Sequence, residues 1–119
     1  MPRFRFAFAQ MGCPCELVLD AGDEASAQRA AREAVAEVAR LDHKYSHYRD
    51  DSYITELAAS AGGGGVDVDP ETAALLDFCA ELHAQSGSRF DITAAALTRL
   101  WDPKSNRVPT AAEIDAARA

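Results

Sequence analysis

The sequence predicts an α+β fold, a few strands with three or four helices packed against them. Two patterns carry that prediction. Phe4, Phe6 and Phe8 alternate with Arg3, Arg5 and Ala7, the period of a strand with one buried face. Further on, Ala27, Ala31, Ala34, Val38, Leu41 and Tyr45 recur at the spacing of an amphipathic helix. At 119 residues the chain reads as one domain, or part of one, over residues 1–119. A chain of that length buries roughly two-thirds of its unfolded surface, enough for a core.

Charge and cysteine content narrow the function. A net charge of −7 argues against a nucleic-acid or acidic-membrane surface, which needs a basic stripe. No uninterrupted apolar run follows Arg3 and Arg5, so neither a signal peptide nor a membrane span is read. A cytoplasmic location is the resulting expectation. Three cysteines, an odd number, make no disulfide framework. Cys13 and Cys15 flank Pro14, and no second cysteine pair supplies the remaining ligands of a zinc site. They read as two strand residues, with Cys79 a core thiol.

Taken in order, residues 3 to 9 are a strand and Cys15 to Leu19 resume a β-prone run. Met11-Gly12-Cys13-Pro14 interrupts the two, so either a hairpin or one bulged strand is expected. Asp23 or Ser26 caps the helix of about Glu24 to Tyr45. The polar, aromatic stretch from Asp42 to Ser52 follows. His43 and His47 stand at i,i+4, but Lys44, Tyr45 and Ser46 supply no acidic base between them, so a metal pair is not read. Asp51-Ser52 starts a short helix through Ile54 and Leu57. Four glycines, Gly62 to Gly65, lack a following Lys-Ser or Lys-Thr and read as a flexible connection rather than a phosphate loop. Val66 and Val68 suggest a very short strand or extended segment.

Asp69-Pro70 starts the next helix, with Asp as N-cap and Pro at the first helical position. Its expected stripe is Leu75, Leu76, Cys79 and Leu82, and Gly87 ends it. The corner Ser86-Gly87-Ser88-Arg89-Phe90-Asp91-Ile92-Thr93 is the stretch with most chemical content. It offers an arginine, a ring and backbone N–H groups expected to be unpaired, the makings of a phosphate or flavin contact. Asp91 or Thr93 is expected to start a helix of about Ala94 to Trp101, which Pro103 stops. Thr110-Ala111-Ala112-Glu113 has the form of a capping box opening one more helix.

Several of these pieces together resemble the FAD:protein FMN transferases of the ApbE type. They are Met11-Gly12 before a strand; Leu41 through Tyr45-Ser46-His47-Tyr48-Arg49-Asp50-Asp51-Ser52; Val68-Asp69-Pro70-Glu71; the Ser86–Thr93 corner; and Leu100-Trp101-Asp102. Their order spans nearly the whole chain. The resemblance implies an N-terminal portion of such an enzyme, which binds FAD, uses Mg2+ and transfers FMN to a Ser or Thr of an acceptor flavoprotein. It implies that Met11, Tyr48, Arg89, Phe90 and Asp91 line the FAD site. A methionine and a tyrosine ring suit a flat heterocycle; a core position for Tyr48 is the alternative.

The chain departs from the pattern at Cys13, where the family has threonine, at Ala58 in place of asparagine, and at Arg89 in place of a small or apolar residue. No metal ligand is assigned within residues 1–119, the Mg2+ ligands being expected downstream. The chain reads as cut, inactive alone and inclined to self-associate through uncovered helix faces. A non-catalytic flavin-binding or assembly module is the alternative function.

Overall fold

The computed structural model describes residues 1–102 and 104–119. Pro103, the expected helix stop, lies outside the described residues. The elements in order are β1 (Arg3–Gln10), β2 (Cys13–Asp20), α1 (Glu24–Tyr45), α2 (Tyr53–Ala59), α3 (Pro70–Gln85), α4 (Ala95–Thr98) and α5 (Ala111–Arg118). They form two compact units, Met1–Val66 and Asp67–Ala119. The α+β expectation holds.

In the first unit β1 and β2 pair antiparallel, Arg3 opposite Asp20 through Gln10 opposite Cys13. Met11 and Gly12 alone join them, at φ 56° and 71°, the positive values a tight two-residue hairpin turn requires. The hairpin alternative is the correct one. The Ala21 N–H donates to the Pro2 carbonyl just beyond the last strand pair. Bonded pairs alternate along such a ladder, so Ala9 opposite Pro14 falls on an unbonded pair. Proline therefore costs the ladder nothing there. Phe4, Phe6 and Phe8 share the half-buried face with Cys15, Leu17 and Leu19. The opposite face is wet, with Arg3 holding Asp20 through two bonds of 3.0 and 3.2 Å.

Helix α1 lies against both strands. Ala27 and Ala31 are its buried residues, small enough to let the helix approach the sheet closely. Asp23, not Ser26, is the cap: its carboxylate accepts from the Ser26 N–H at 2.7 Å. That bond, with the neighbouring Ser26 hydroxyl, lowers the Asp23 pKa. Helix α2 packs on α1 and is capped by Ser52, whose Oγ accepts from the Thr55 N–H at 3.2 Å.

In the second unit Asp69 caps α3 and Pro70 opens it, as expected. Leu76, Cys79 and Leu82 are half-buried, but Leu75 is exposed, which corrects the expected stripe. Val66 and Val68 join no strand. Helix α4 spans only Ala95–Thr98, shorter than the expected run to Trp101, and it packs on α5. The capping box at Thr110 and Glu113 is formed in full. Arg107 also pairs with the Glu113 carboxylate.

Candidate functional site

The hairpin turn of the first unit places Met11 at the surface, 58% exposed. A bulky side chain at positive φ is strained, and what holds it there is a contact from α1: the Met11 N–H donates to Asp42 Oδ2 at 3.3 Å. Tyr48 follows the end of α1 and is 87% exposed, outside the core of this unit. Its ring rests on the His47 ring, centroids 3.9 Å apart and tilted by 37°. One residue later Arg49 grips Asp51 with two bonds of 3.0 Å. This grip is the main reason the Asp51 carboxyl lies below its ordinary range. The segment after α1 is therefore an aromatic pair presented to solvent on an internally tied backbone.

The corner of the second unit begins where α3 stops. Gly87 takes φ 62°, its N–H donates to the Ala84 carbonyl, and the Ser88 N–H donates to the His83 carbonyl at 2.9 Å. This is the paired closure that a left-handed residue allows at a helix end. Ser88 also has positive φ, 65°, which turns the chain back over the helix. Phe90 is then held from both sides. Its N–H donates to Ser86 Oγ at 2.8 Å, and His83 Nδ1 donates to its carbonyl at 2.9 Å. A carbonyl only accepts, so Nδ1 carries the proton and Nε2 is the acceptor of the neutral ring.

Asp91 Oδ1 accepts from the Thr93 N–H at 2.8 Å and from the Thr93 hydroxyl at 2.6 Å. It closes a turn and does not cap α4, whose N-cap is Ala94 with no side-chain bond. The expectation of unpaired donors holds in part: the N–H groups of Gly87, Ser88, Phe90 and Thr93 are taken within the corner, whereas those of Arg89, Asp91 and Ile92 have no partner among the described residues. What remains for a ligand is those three donors and the side-chain chemistry. Arg89 is exposed and has no hydrogen bond or ion pair among the described residues, and Phe90 is 41% exposed. Asp91 lies with Leu76, Ala80, His83 and Ile92 along an open, mainly apolar hollow of about 420 Å3.

Asp91 is held below the usual carboxylate range, first by the Thr93 hydroxyl, then by the Thr93 amide, with the His83 charge adding. A carboxyl depressed in the folded state stabilises that state fully above its unfolded pKa, near ~4. The contribution is lost as pH falls through the lower folded value. Urea midpoints should thus carry no slope from the Asp91 carboxyl itself between about pH 5 and 8 and should fall in acid. Asp91→Asn should remove part of the acid slope; an unchanged slope would show that the turn does not depend on the carboxylate.

The "ApbE family" profile matches residues 11–119. The chain belongs to the ApbE family. Solved ApbE structures share its fold. The ApbE protein of Thermotoga maritima is 21% identical with a TM-score of 0.86, covering 98% of this chain and 38% of that one. The flavinyl transferase ApbE of Pseudomonas stutzeri, in its apo form, is 29% identical with a TM-score of 0.83, covering 99% and 39%. The flavin transferase ApbE of Vibrio cholerae is 19% identical with a TM-score of 0.76, covering 98% and 40%. The chain thus spans about two fifths of the length of these structures. No curated protein matches it.

Within this ApbE chain, Met11 and Tyr48 stand in the first unit and Arg89, Phe90 and Asp91 in the second. Three supporting residues escaped the sequence reading. Asp42 looked like one more charge at a helix end, yet it holds the hairpin turn. Ser86 was read only as the first residue of the corner and His83 was not singled out, yet together they fix the Phe90 backbone. The only signal was position, His83 standing one turn before Gly87 and Ser86 directly before it. Among the described residues no group of three or more His, Cys, Asp or Glu side chains converges to hold a metal ion.

Proposed function

We propose that this chain contributes the FAD-binding residues of a protein flavin transferase, which moves FMN from FAD to a Ser or Thr hydroxyl of an acceptor flavoprotein. Breaking the pyrophosphate of FAD joins FMN to that hydroxyl and releases AMP. The observation that carries the reading is the family match, which runs from Met11 through both units. The side chains support it. Met11 and the His47–Tyr48 pair offer exposed soft and aromatic faces for a flat heterocycle. Arg89 offers a fork of donors suited to phosphate oxygens. Asp91, kept ionised, offers an acceptor at the rim of an apolar hollow.

Magnesium belongs to the proposal for the whole enzyme, where it would neutralise charge on the phosphates. The described residues do not fit it, since no set of carboxylates converges here, and no step is assigned to it on this chain.

The test has two arms. The chain alone, and the chain joined to the remaining three-fifths of the Pseudomonas stutzeri transferase, are each incubated with FAD, Mg2+ and a flavoprotein acceptor. Mass spectrometry should find covalent FMN on a Ser or Thr of the acceptor with the joined protein only. A folded joined protein that binds FAD without labelling would favour the non-catalytic module. One that binds no FAD would overturn the proposal.

A further inference from the structure

Beside the hairpin turn, two thiols and one carbonyl crowd together. The sulfurs of Cys13 and Cys15 are 3.8 Å apart, and both thiols are free. The Gln10 carbonyl oxygen lies 3.4 Å from the Cys13 sulfur and 3.8 Å from that of Cys15. The three atoms form a triangle with edges close to those of one face of a coordination tetrahedron. With metal–sulfur bonds of ~2.3 Å and a metal–oxygen bond of ~2.1 Å, tetrahedral angles separate the sulfurs by ~3.8 Å and each sulfur from oxygen by ~3.6 Å.

We propose that Cys13, Cys15 and the Gln10 carbonyl form a site for a thiophilic divalent cation of the zinc or cadmium type. The fourth position is open to water, because Cys13 is exposed at the end of β2. The two cysteines are i,i+2 on one strand and therefore share a face. Their register is set by Cys13 opposite Gln10 and Cys15 opposite Phe8, with Pro14 limiting rotation between them. Binding joins the cation to two thiolates and releases two protons. Because the cation displaces thiol protons, apparent affinity rises with pH. A net charge of −7 favours the approach of a cation. The proposal is independent of the flavin reading.

Titration of the reduced protein with Cd2+ alone, followed by thiolate-to-cadmium charge-transfer absorption, tests it. One equivalent should saturate the band, and Zn2+ should displace it competitively. Chelation supplies the second thiolate at an effective concentration on the order of millimolar, so Cys13→Ser and Cys15→Ser should each weaken binding by about 100-fold or more. Cys79→Ser should bind as the parent does. Cys13 is exposed, so its replacement leaves the fold in place, which circular dichroism checks. Absence of the band, or equal affinity in Cys13→Ser, would overturn the site.

Discussion

Tyr48→Ala should weaken FAD binding by about 1–3 kcal/mol, the range for a base stacked on an aromatic side chain. In a titration that is about a 5- to 150-fold rise in Kd. Folding should be nearly untouched, because the ring is 87% exposed and its one ring contact among the described residues is with His47. A surface change of this kind stays within about 0.5 kcal/mol of the parent stability. Tyr48→Phe keeps the ring face and should keep the affinity. A folded Tyr48→Ala protein with unchanged affinity would remove Tyr48 from the site.

The second large effect is a trade between stability and binding at the hairpin. Met11 sits at φ 56°, where a side chain without a short polar group costs about 1–2 kcal/mol. Asparagine tolerates that region, and Asn-Gly is the favoured pair for a two-residue turn between strands. Met11→Asn should therefore stabilise the protein by about 1 kcal/mol in urea denaturation. The bond to Asp42 comes from the backbone N–H and survives the change. Loss of the thioether should at the same time weaken FAD binding by about 2- to 10-fold, from ~0.3–1.5 kcal/mol of sulfur–aromatic contact. Backbone strain of this kind clusters at functional sites, which is the reason to test the turn for binding. A more stable variant with undiminished affinity would mean that Met11 is strained for some reason other than flavin.

The two patterns that carried the fold were local ones. The alternation of Phe4, Phe6 and Phe8 and the alanine stripe of α1 each bury one face, and no longer-range information was needed. The hairpin turn was less legible because methionine is not a turn former; its φ is set by Asp42, 31 residues away. The stripe of α3 was misjudged at Leu75 because Leu75, Leu76, Phe78, Cys79 and Leu82 wrap more than one face, and periodicity cannot choose among them. At the corner the residue types suggested a ligand contact. The fate of its N–H groups depended on Ser88 at positive φ and on His83 reaching Phe90, neither of which spacing encodes. Helix α4 fell short of Trp101 because its apolar spacing continues past the residues that stay helical.

The proposed FAD contacts of each unit are tested most directly by titrating FAD into 15N-labelled protein and following the backbone amides. The account predicts saturable shifts concentrated at Met11–Gly12, at His47–Arg49 and at Arg89–Thr93, with the exposed amides of Gly63–Gly65 unchanged. Saturation with those three segments silent, or the absence of any shift in the folded protein, would contradict it.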